Sequence, residues 1–350
     1  MTLPAFSLVR PQTVAEALRV LQDAAPGQAK VIAGGTDLIP NLQMKLYAPQ
    51  LVVDIKGIAA LRGIEWSPGQ GLRIGALTTL TELERAPIVR EQFPVLAEAV
   101  AAVAGPLQRN MGTIGGNLCL ETRCLWYNQS EFWRRALGGC LKLPMPNPHA
   151  AHPRTICHVA PGGKFCWAVW SGDSAPALLA LDAEVEISGP RGVTRRPLRE
   201  LYKNDGMDRL ALGHDELLTA VHIPARAAGR RGTYRKLRIR NSIDYPLAGV
   251  AVAMEVDDQG ICHAARVAIA AVNPAPLLVP QAEALLVGQK ASPELIEEVA
   301  RAVTRTGKPL TTSASTPEYR REMLRVFTRR ALQACWDRRD NVEHERDTGD

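Results

Sequence analysis

Val31-Ile32-Ala33-Gly34-Gly35-Thr36-Asp37-Leu38 decides how this chain is read. An apolar strand runs directly into two glycines, a hydroxyl and a carboxylate. Glycine adopts backbone conformations closed to other residues, so successive N–H groups can point into one concavity, which suits a phosphate. A second turn of the same kind follows at Gly112-Thr113-Ile114-Gly115-Gly116-Asn117 and offers similar backbone donors. One Gly-Gly pair is most often an ordinary turn. Two in one region, each beside a small hydroxyl residue, point to a diphosphate held between two backbone loops. Neither has the Gly-x-Gly-x-x-Gly form opening a helix, so a Rossmann site is not supported.

Helix and strand signals are interspersed around these turns. Thr13-Val14-Ala15-Glu16 reads as a capping box ahead of Ala17, Leu18, Val20 and Leu21, and Thr79-Leu80-Thr81-Glu82 repeats the pattern. A further helix is expected over 95–103. Ser292-Pro293 and Thr316-Pro317 each place an N-cap before a proline at the first helical position, the latter opening a final helix over 317–337. Strands are expected at 30–33, 51–55, 72–74 and 183–187, the last entering a hairpin through Gly189-Pro190-Arg191-Gly192. Two more, 249–256 and 264–271, flank the turn Asp257-Asp258-Gln259-Gly260. The class is therefore α+β or mixed α/β. A stretch rich in Pro, Ala, Gly and Arg at 224–232 marks a boundary. It gives a first domain over 1–224, divided near 58 and 59 (1–58 and 59–224), a smaller domain over 225–338 and a charged tail over 339–350.

Bulk properties set limits on function. A chain of 350 residues, 46% hydrophobic and 22% charged, is an ordinary globular protein of two or three domains. The net charge of +6 is spread along the chain rather than gathered on one arm, which argues against nucleic acid as a partner. The start lacks a secretory pattern, and the apolar stretch 94–107 is interrupted by Glu98 and too short for a bilayer. A cytoplasmic protein without membrane contact is expected. Its seven cysteines should then be thiols, metal ligands or redox groups rather than disulfides. No triad, His-Glu-x-x-His or P-loop pattern supports a hydrolase or NTPase.

Five of the seven cysteines lie between Cys119 and Cys166. The stretch from Asn117 to Asp173 holds Cys124, Cys140, Cys157 and Cys166, with several prolines and His149, His152 and His158. A loop this long in a compact domain needs a role. Four thiolates could replace its missing core by binding metal. The spacing has neither Cys-x-x-Cys knuckles nor a compact ferredoxin run, and leaves zinc, an iron–sulfur cluster and free thiols open. Trp126, Trp133, Trp167 and Trp170 crowd this segment and read as packing that shields it from water. Cys119 reads as a packed thiol beside the second glycine turn, and Cys262 and Cys335 as core or surface thiols.

Three motifs in order carry a family resemblance. They are Ile32-Ala33-Gly34-Gly35-Thr36-Asp37, Ile74-Gly75-Ala76-Leu77-Thr78 and Arg109-Asn110-Met111-Gly112-Thr113-Ile114-Gly115-Gly116-Asn117. With residues 6–21, Asp173-Ser174-Ala175-Pro176-Ala177-Leu178-Leu179, Tyr234-Arg235-Lys236-Leu237 and Asp244, they resemble the FAD-binding middle subunits of the xanthine dehydrogenase and carbon monoxide dehydrogenase family of molybdenum hydroxylases. The resemblance covers nearly the whole chain. It implies an α+β fold: a vanillyl-alcohol-oxidase (PCMH-type) FAD-binding domain, a smaller C-terminal α+β domain and a cysteine-rich insertion at about 119–170. It also implies that Ile32, Ala33, Gly34, Gly35, Thr36 and Asp37 hold the FAD diphosphate together with Gly112, Thr113, Gly115, Gly116 and Asn117. Ala76 joins this cofactor-binding set. Asp173 would contact the ribose side, and Leu218 and Lys236 would lie near the isoalloxazine ring, where a cation favours the reduced anion.

The insertion adds to this. Thr122-Arg123-Cys124, Tyr127-Asn128-Gln129-Ser130-Glu131, Trp133-Arg134-Arg135, Cys140 and Ile156-Cys157-His158-Val159-Ala160-Pro161 through Cys166 resemble the β subunits of 4-hydroxybenzoyl-CoA reductases. Those subunits carry an additional [4Fe–4S] cluster on this loop, which implies Cys124, Cys140, Cys157 and Cys166 as its ligands. The middle spacing is longer here, owing to residues 143–151. His158 reads first as a loop histidine and second as a donor to the cluster. The resemblance implies an oxidoreductase subunit that carries electrons and does no substrate chemistry of its own. Its partners would be a molybdopterin-binding large subunit and a small subunit with two [2Fe–2S] clusters, doubled to (αβγ)2. A ferredoxin-like donor would drive the dehydroxylation of 4-hydroxybenzoyl-CoA to benzoyl-CoA. Two other readings stand beside it: a molybdenum hydroxylase of another aromatic or heterocyclic substrate, and a zinc-stabilised assembly subunit without flavin.

Overall fold

The first glycine turn leaves the end of a small parallel sheet in which Ser7–Val9, Leu51–Asp54 and Ala29–Ile32 lie in that order. The computed structural model describes residues 2–146 and 156–337. Helix Val14–Asp23 buries Ala17 and Leu21 in the core that also takes Val53, Ile55 and Ile58. Its Thr13 hydroxyl accepts from the Glu16 N–H at 3.1 Å, but the Glu16 carboxylate reaches back to the N–H of Gln12, not of Thr13. The expected box is thus one residue wider. At Thr79 and Glu82 the box closes on itself as expected.

A five-stranded antiparallel sheet follows, in the order Ile64–Ser67, Gly71–Gly75, Leu217–Ile223, Glu184–Gly189 and Gly192–Pro197. Its hairpin turns at 189–192, as the Gly-Pro-Arg-Gly sequence predicts, with Gly192 at φ +99°. Helices Leu80–Arg85, Pro94–Ala101 and Ser174–Ala180 complete its core.

The third sheet orders Leu277–Leu278, Cys262–Ala270, Ala248–Val256 and Arg231–Leu237. Period-two alternation sorts its faces. Ala251, Ala253, Ala268 and Ala270 join the core of the five-stranded sheet, whereas Val250, Val252, Met254, Val267 and Ile269 pack under the C-terminal helices. Small residues on the first face let helix Pro94–Ala101 come close: a Cβ on Gly232 would lie 3.0 Å from the Val95 Cβ. The final helix, Pro317–Asp337, has the expected bounds and is pinned by the fully buried Arg320, which donates to the carbonyls of Leu247, Leu310 and Ala271.

Some elements gave no periodic signal. Ser174–Ala180 is buried on every side, and Leu217–Ile223 is a central strand with apolar residues on both faces. Ser7–Val9, Ile64–Ser67 and Arg231–Leu237 were likewise not anticipated. The insertion is ordered around helix Glu131–Leu137, capped by the Ser130 hydroxyl and by Gly138 at φ +76°. The bridge between Arg123 and Val169 closes its two ends. Most of the lengthened stretch 143–151, with His149 and His152, and the tail 339–350 lie outside the described residues. No helix among the described residues is long and apolar enough to cross a membrane.

Candidate functional site

A cavity of about 550 Å³ opens where the parallel sheet meets the five-stranded sheet. Both glycine turns line it. Of the residues expected to hold a cofactor, Ile32, Ala33, Gly34, Gly35, Thr36, Asp37, Ala76, Gly112, Thr113, Gly115, Gly116, Asn117, Asp173 and Leu218 are on its wall. Lys236 is not.

The turns touch each other. A Cβ on Gly34 would lie 1.9 Å from the Met111 carbonyl oxygen, so only glycine permits this approach. Gly35 sits at φ +76°, in the left-handed region. The two turns differ in what they offer. In the second, the N–H groups of Ile114 and Gly115 donate to the carbonyls of Thr78 and Ala76, while Gly116 and Asn117 donate to Thr113. Two of these donors close the start of the short helix Ile114–Leu118 and two tie it to the segment before Thr79, so all four are paired within the fold. In the first turn, the N–H groups of Gly34, Gly35, Thr36 and Asp37 donate to no group among the described residues. The first turn supplies free donors, and the second supplies shape.

Asp173 lies on the wall with only 3% of its side chain exposed. It accepts from the Tyr234 hydroxyl at 2.7 Å and from the Lys236 ammonium at 2.9 Å. Burial pushes the Asp173 carboxyl up and the ammonium opposes it, and the geometry is that of an ion pair. Lys236 also donates to the Ala102 carbonyl at 2.8 Å. It therefore stands behind Asp173 rather than on the wall. Asn117 accepts from the Ser174 hydroxyl at 2.5 Å, which locks the second turn onto the buried helix.

Several charged residues of the site carry no motif. Asp37 accepts from Arg123 at 2.5 Å, Asn41 at 3.1 Å and the Glu121 N–H at 3.2 Å. Glu121 is buried and accepts from Lys142 at 2.6 Å and Tyr47 at 3.0 Å, with Arg209 at 3.7 Å. Lys30 lies over the Tyr47 ring at 4.6 Å. Lys30, Arg123, Lys142 and Arg209 thus face Asp37 and Glu121, while Asp173, Glu216 and Asp244 add carboxylates to the cavity wall.

Burial alone would raise the Glu121 carboxyl, but Lys142 and Arg209 hold it at about 2 against an ordinary 4.5. A carboxyl depressed in the folded state contributes stability above pH 4.5 that is lost as pH falls toward 2. Its size is about 3 kcal/mol. Glu121→Gln should therefore lower stability at pH 7 and flatten the loss between pH 4.5 and pH 2. Denaturant unfolding at a series of pH values checks this, and an unchanged acid limb would refute it.

In the insertion, Cys140, Cys157 and Cys166 are buried and Cys124 is half-buried. Cys140 and Cys157 lie within electrostatic reach of Cys124, and Cys124 and Cys140 within reach of Cys166. As free thiols Cys124 and Cys166 are hard to ionise, burial pushing Cys124 up to about 11 and Cys166 up to about 12. Among the described residues, no three or more His, Cys, Asp or Glu side chains are drawn together as a single metal ion requires. His158 donates from Nε2 to the Gly139 carbonyl, 2.9 Å away, and stacks on Trp126, as a loop histidine would. Trp133 adjoins Trp126, and Trp170 is fully buried against Tyr202. Cys119 is a packed thiol on the cavity wall, and Cys262 and Cys335 belong to the C-terminal core.

The sequence profile described as "FAD binding domain in molybdopterin dehydrogenase" matches residues 4–226, and "CO dehydrogenase flavoprotein C-terminal domain" matches 232–335. The chain belongs to the FAD-binding subunits of the molybdenum hydroxylases. The aldehyde oxidoreductase FAD-binding subunit PaoB of Escherichia coli (strain K12) is 35% identical over 292 residues, 81% of this chain and 86% of that one. The putative xanthine dehydrogenase FAD-binding subunit XdhB of the same strain is 28% identical over 324 residues, 92% of this chain and 93% of that one. Among solved structures, a chain of carbon monoxide dehydrogenase from Hydrogenophaga pseudoflava superposes with a TM-score of 0.77 at 28% identity, covering 96% of this chain and 99% of that one. This FAD-binding subunit thus has the expected PCMH-type α+β fold with its C-terminal domain. It is an oxidoreductase subunit, and the reading without flavin falls.

Proposed function

We propose that this FAD-binding subunit serves a molybdenum-dependent 4-hydroxybenzoyl-CoA reductase and that its insertion holds a [4Fe–4S] cluster on Cys124, Cys140, Cys157 and Cys166. The complex would add a molybdopterin-binding large subunit and a [2Fe–2S] small subunit as (αβγ)2, take electrons from a ferredoxin-like donor and act in the cytoplasm. The domain boundary is placed at 224–232. The observation that carries the reading is the cysteine-bearing insertion joined to the cavity wall: Arg123, next to Cys124, is ion-paired to Asp37 of the first turn.

The residues present fit both groups. Four free N–H groups at 34–37, with Lys30, Arg123 and Arg209 on the same wall, suit a diphosphate. Asp173 would accept a ribose hydroxyl while Lys236 holds it ionised. Ala76 and Leu218 shape the wall and exclude water. The buried thiols of Cys140, Cys157 and Cys166 with the half-buried Cys124 would suit a cubane, which spreads its ligands more widely than one ion does. When bound, FAD supplies one- and two-electron chemistry and the cluster supplies single electrons at potentials that can lie well below that of flavin.

A second reading is supported by the relatives, whose names include an aldehyde oxidoreductase and a xanthine dehydrogenase subunit. The assembled complex, purified without oxygen, should convert 4-hydroxybenzoyl-CoA to benzoyl-CoA with a low-potential donor. Oxidation of an aldehyde or N-heterocycle with no turnover of the thioester would favour the second reading instead.

A further inference from the structure

We propose that Arg123 is a positioning residue that couples the insertion to the flavin cradle and sets both the grip on FAD and its potential. This rests on the FAD reading of the cavity. The backbone of Arg123 belongs to the insertion: its N–H donates to the Val169 carbonyl at 2.8 Å, and the Val169 N–H donates back at 2.8 Å. Its side chain leaves the insertion and lines the cavity. There a terminal guanidinium nitrogen meets the Asp37 carboxylate at 2.5 Å, and the guanidinium carbon lies 3.9 Å from the centre of the Tyr245 ring. Three distant segments therefore meet at one residue: the first glycine turn and the loop after strand Arg231–Leu237 at its side chain, and the far end of the insertion at its backbone.

The Nε of Arg123 is buried and has no hydrogen-bond partner among the described residues. A buried donor without an acceptor is costly, so the contacts that hold the guanidinium in this place, to Asp37 and to the Tyr245 ring, must outweigh that cost. A fixed cation on the wall stabilises the more negative, reduced form of a bound flavin relative to the oxidised form. The planar fork and the ring stack also fix where Asp37 points. A lysine would keep the charge but lose both. Charge and geometry can thus be separated by substitution.

The test uses the whole complex, purified without oxygen, with Arg123→Gln and Arg123→Lys beside the wild type. FAD and iron per chain, the FAD dissociation constant after reconstitution, and the flavin midpoint potential by spectroelectrochemistry are the readouts. For Arg123→Gln we expect unchanged iron, FAD binding weakened about tenfold, and a potential lowered by about 30 mV, a tenfold change for a two-electron couple. Arg123→Lys should recover the potential but not the grip. A wild-type dissociation constant and potential in Arg123→Gln would overturn the role. So would joint loss of iron and flavin with a lower melting temperature in both variants, which would make Arg123 structural support alone. A wild-type complex devoid of flavin would sink the cavity reading, and this role with it.

Discussion

Gly34→Ala should give a chain that folds and carries no flavin. The added Cβ would lie 1.9 Å from the Met111 carbonyl oxygen, 2.6 Å from its carbon and 2.9 Å from the Gly112 Cα. All three are backbone atoms, and no rotamer change moves them aside. The two turns must separate, and the free N–H groups of Gly34 to Asp37 then lose their aim. Overpacking of this kind costs about 1–3 kcal/mol, here concentrated on the bound state. FAD affinity should fall about 100-fold, which corresponds to about 2.7 kcal/mol. Gly69→Ala is the control, because nothing lies within 4 Å of its Cβ position. The flavin-to-protein absorbance ratio and a thermal melt read the result. Stoichiometric flavin in Gly34→Ala would mean that the contact between the turns does not shape the cradle.

Cys166→Ser should remove the iron held by the insertion while leaving flavin in place. The Cys166 sulfur is buried, accepts from the Ala168 N–H at 3.5 Å and is packed so closely that a Cβ on Gly206 would lie 2.9 Å from it. With its thiol pushed up to about 12, it ionises at neutral pH only against a strongly bound cation. Serine keeps the volume but is a harder and far weaker acid. The expected loss is nearly all of the iron and acid-labile sulfide assigned to this subunit, seen by chemical analysis and low-temperature electron paramagnetic resonance. Cys262→Ser, in the C-terminal core, should lose none. Equal iron in both variants would remove Cys166 from the ligand set.

What the sequence revealed and what it hid follow one physical division. The Gly34-Gly35 turn was legible because its chemistry is local: a strand end, two residues without Cβ and adjacent donors. The Thr113 turn was misread in part. Its hydroxyl caps Gly116 three residues on, an N-cap spacing that signals a helix start and takes up one of the donors. The helices after Thr79, Ser292 and Thr316 showed their caps plainly, whereas Ser174–Ala180 and Leu217–Ile223 have no solvent face to impose a period. The charged wall could not be read at all. Tyr47 meets Glu121 across 74 residues, and Arg123 meets Asp37 across 86, so no spacing encodes them. Lys236 was read as a cation at the cavity, but the fold places Asp173 between.

Cofactor analysis of the complex isolated without oxygen addresses the whole account. It predicts one FAD per copy of this chain, together with about four iron and four sulfide ions beyond those of two [2Fe–2S] centres. A preparation that holds flavin but only the iron of the small subunit, or zinc in place of the extra iron, would contradict it.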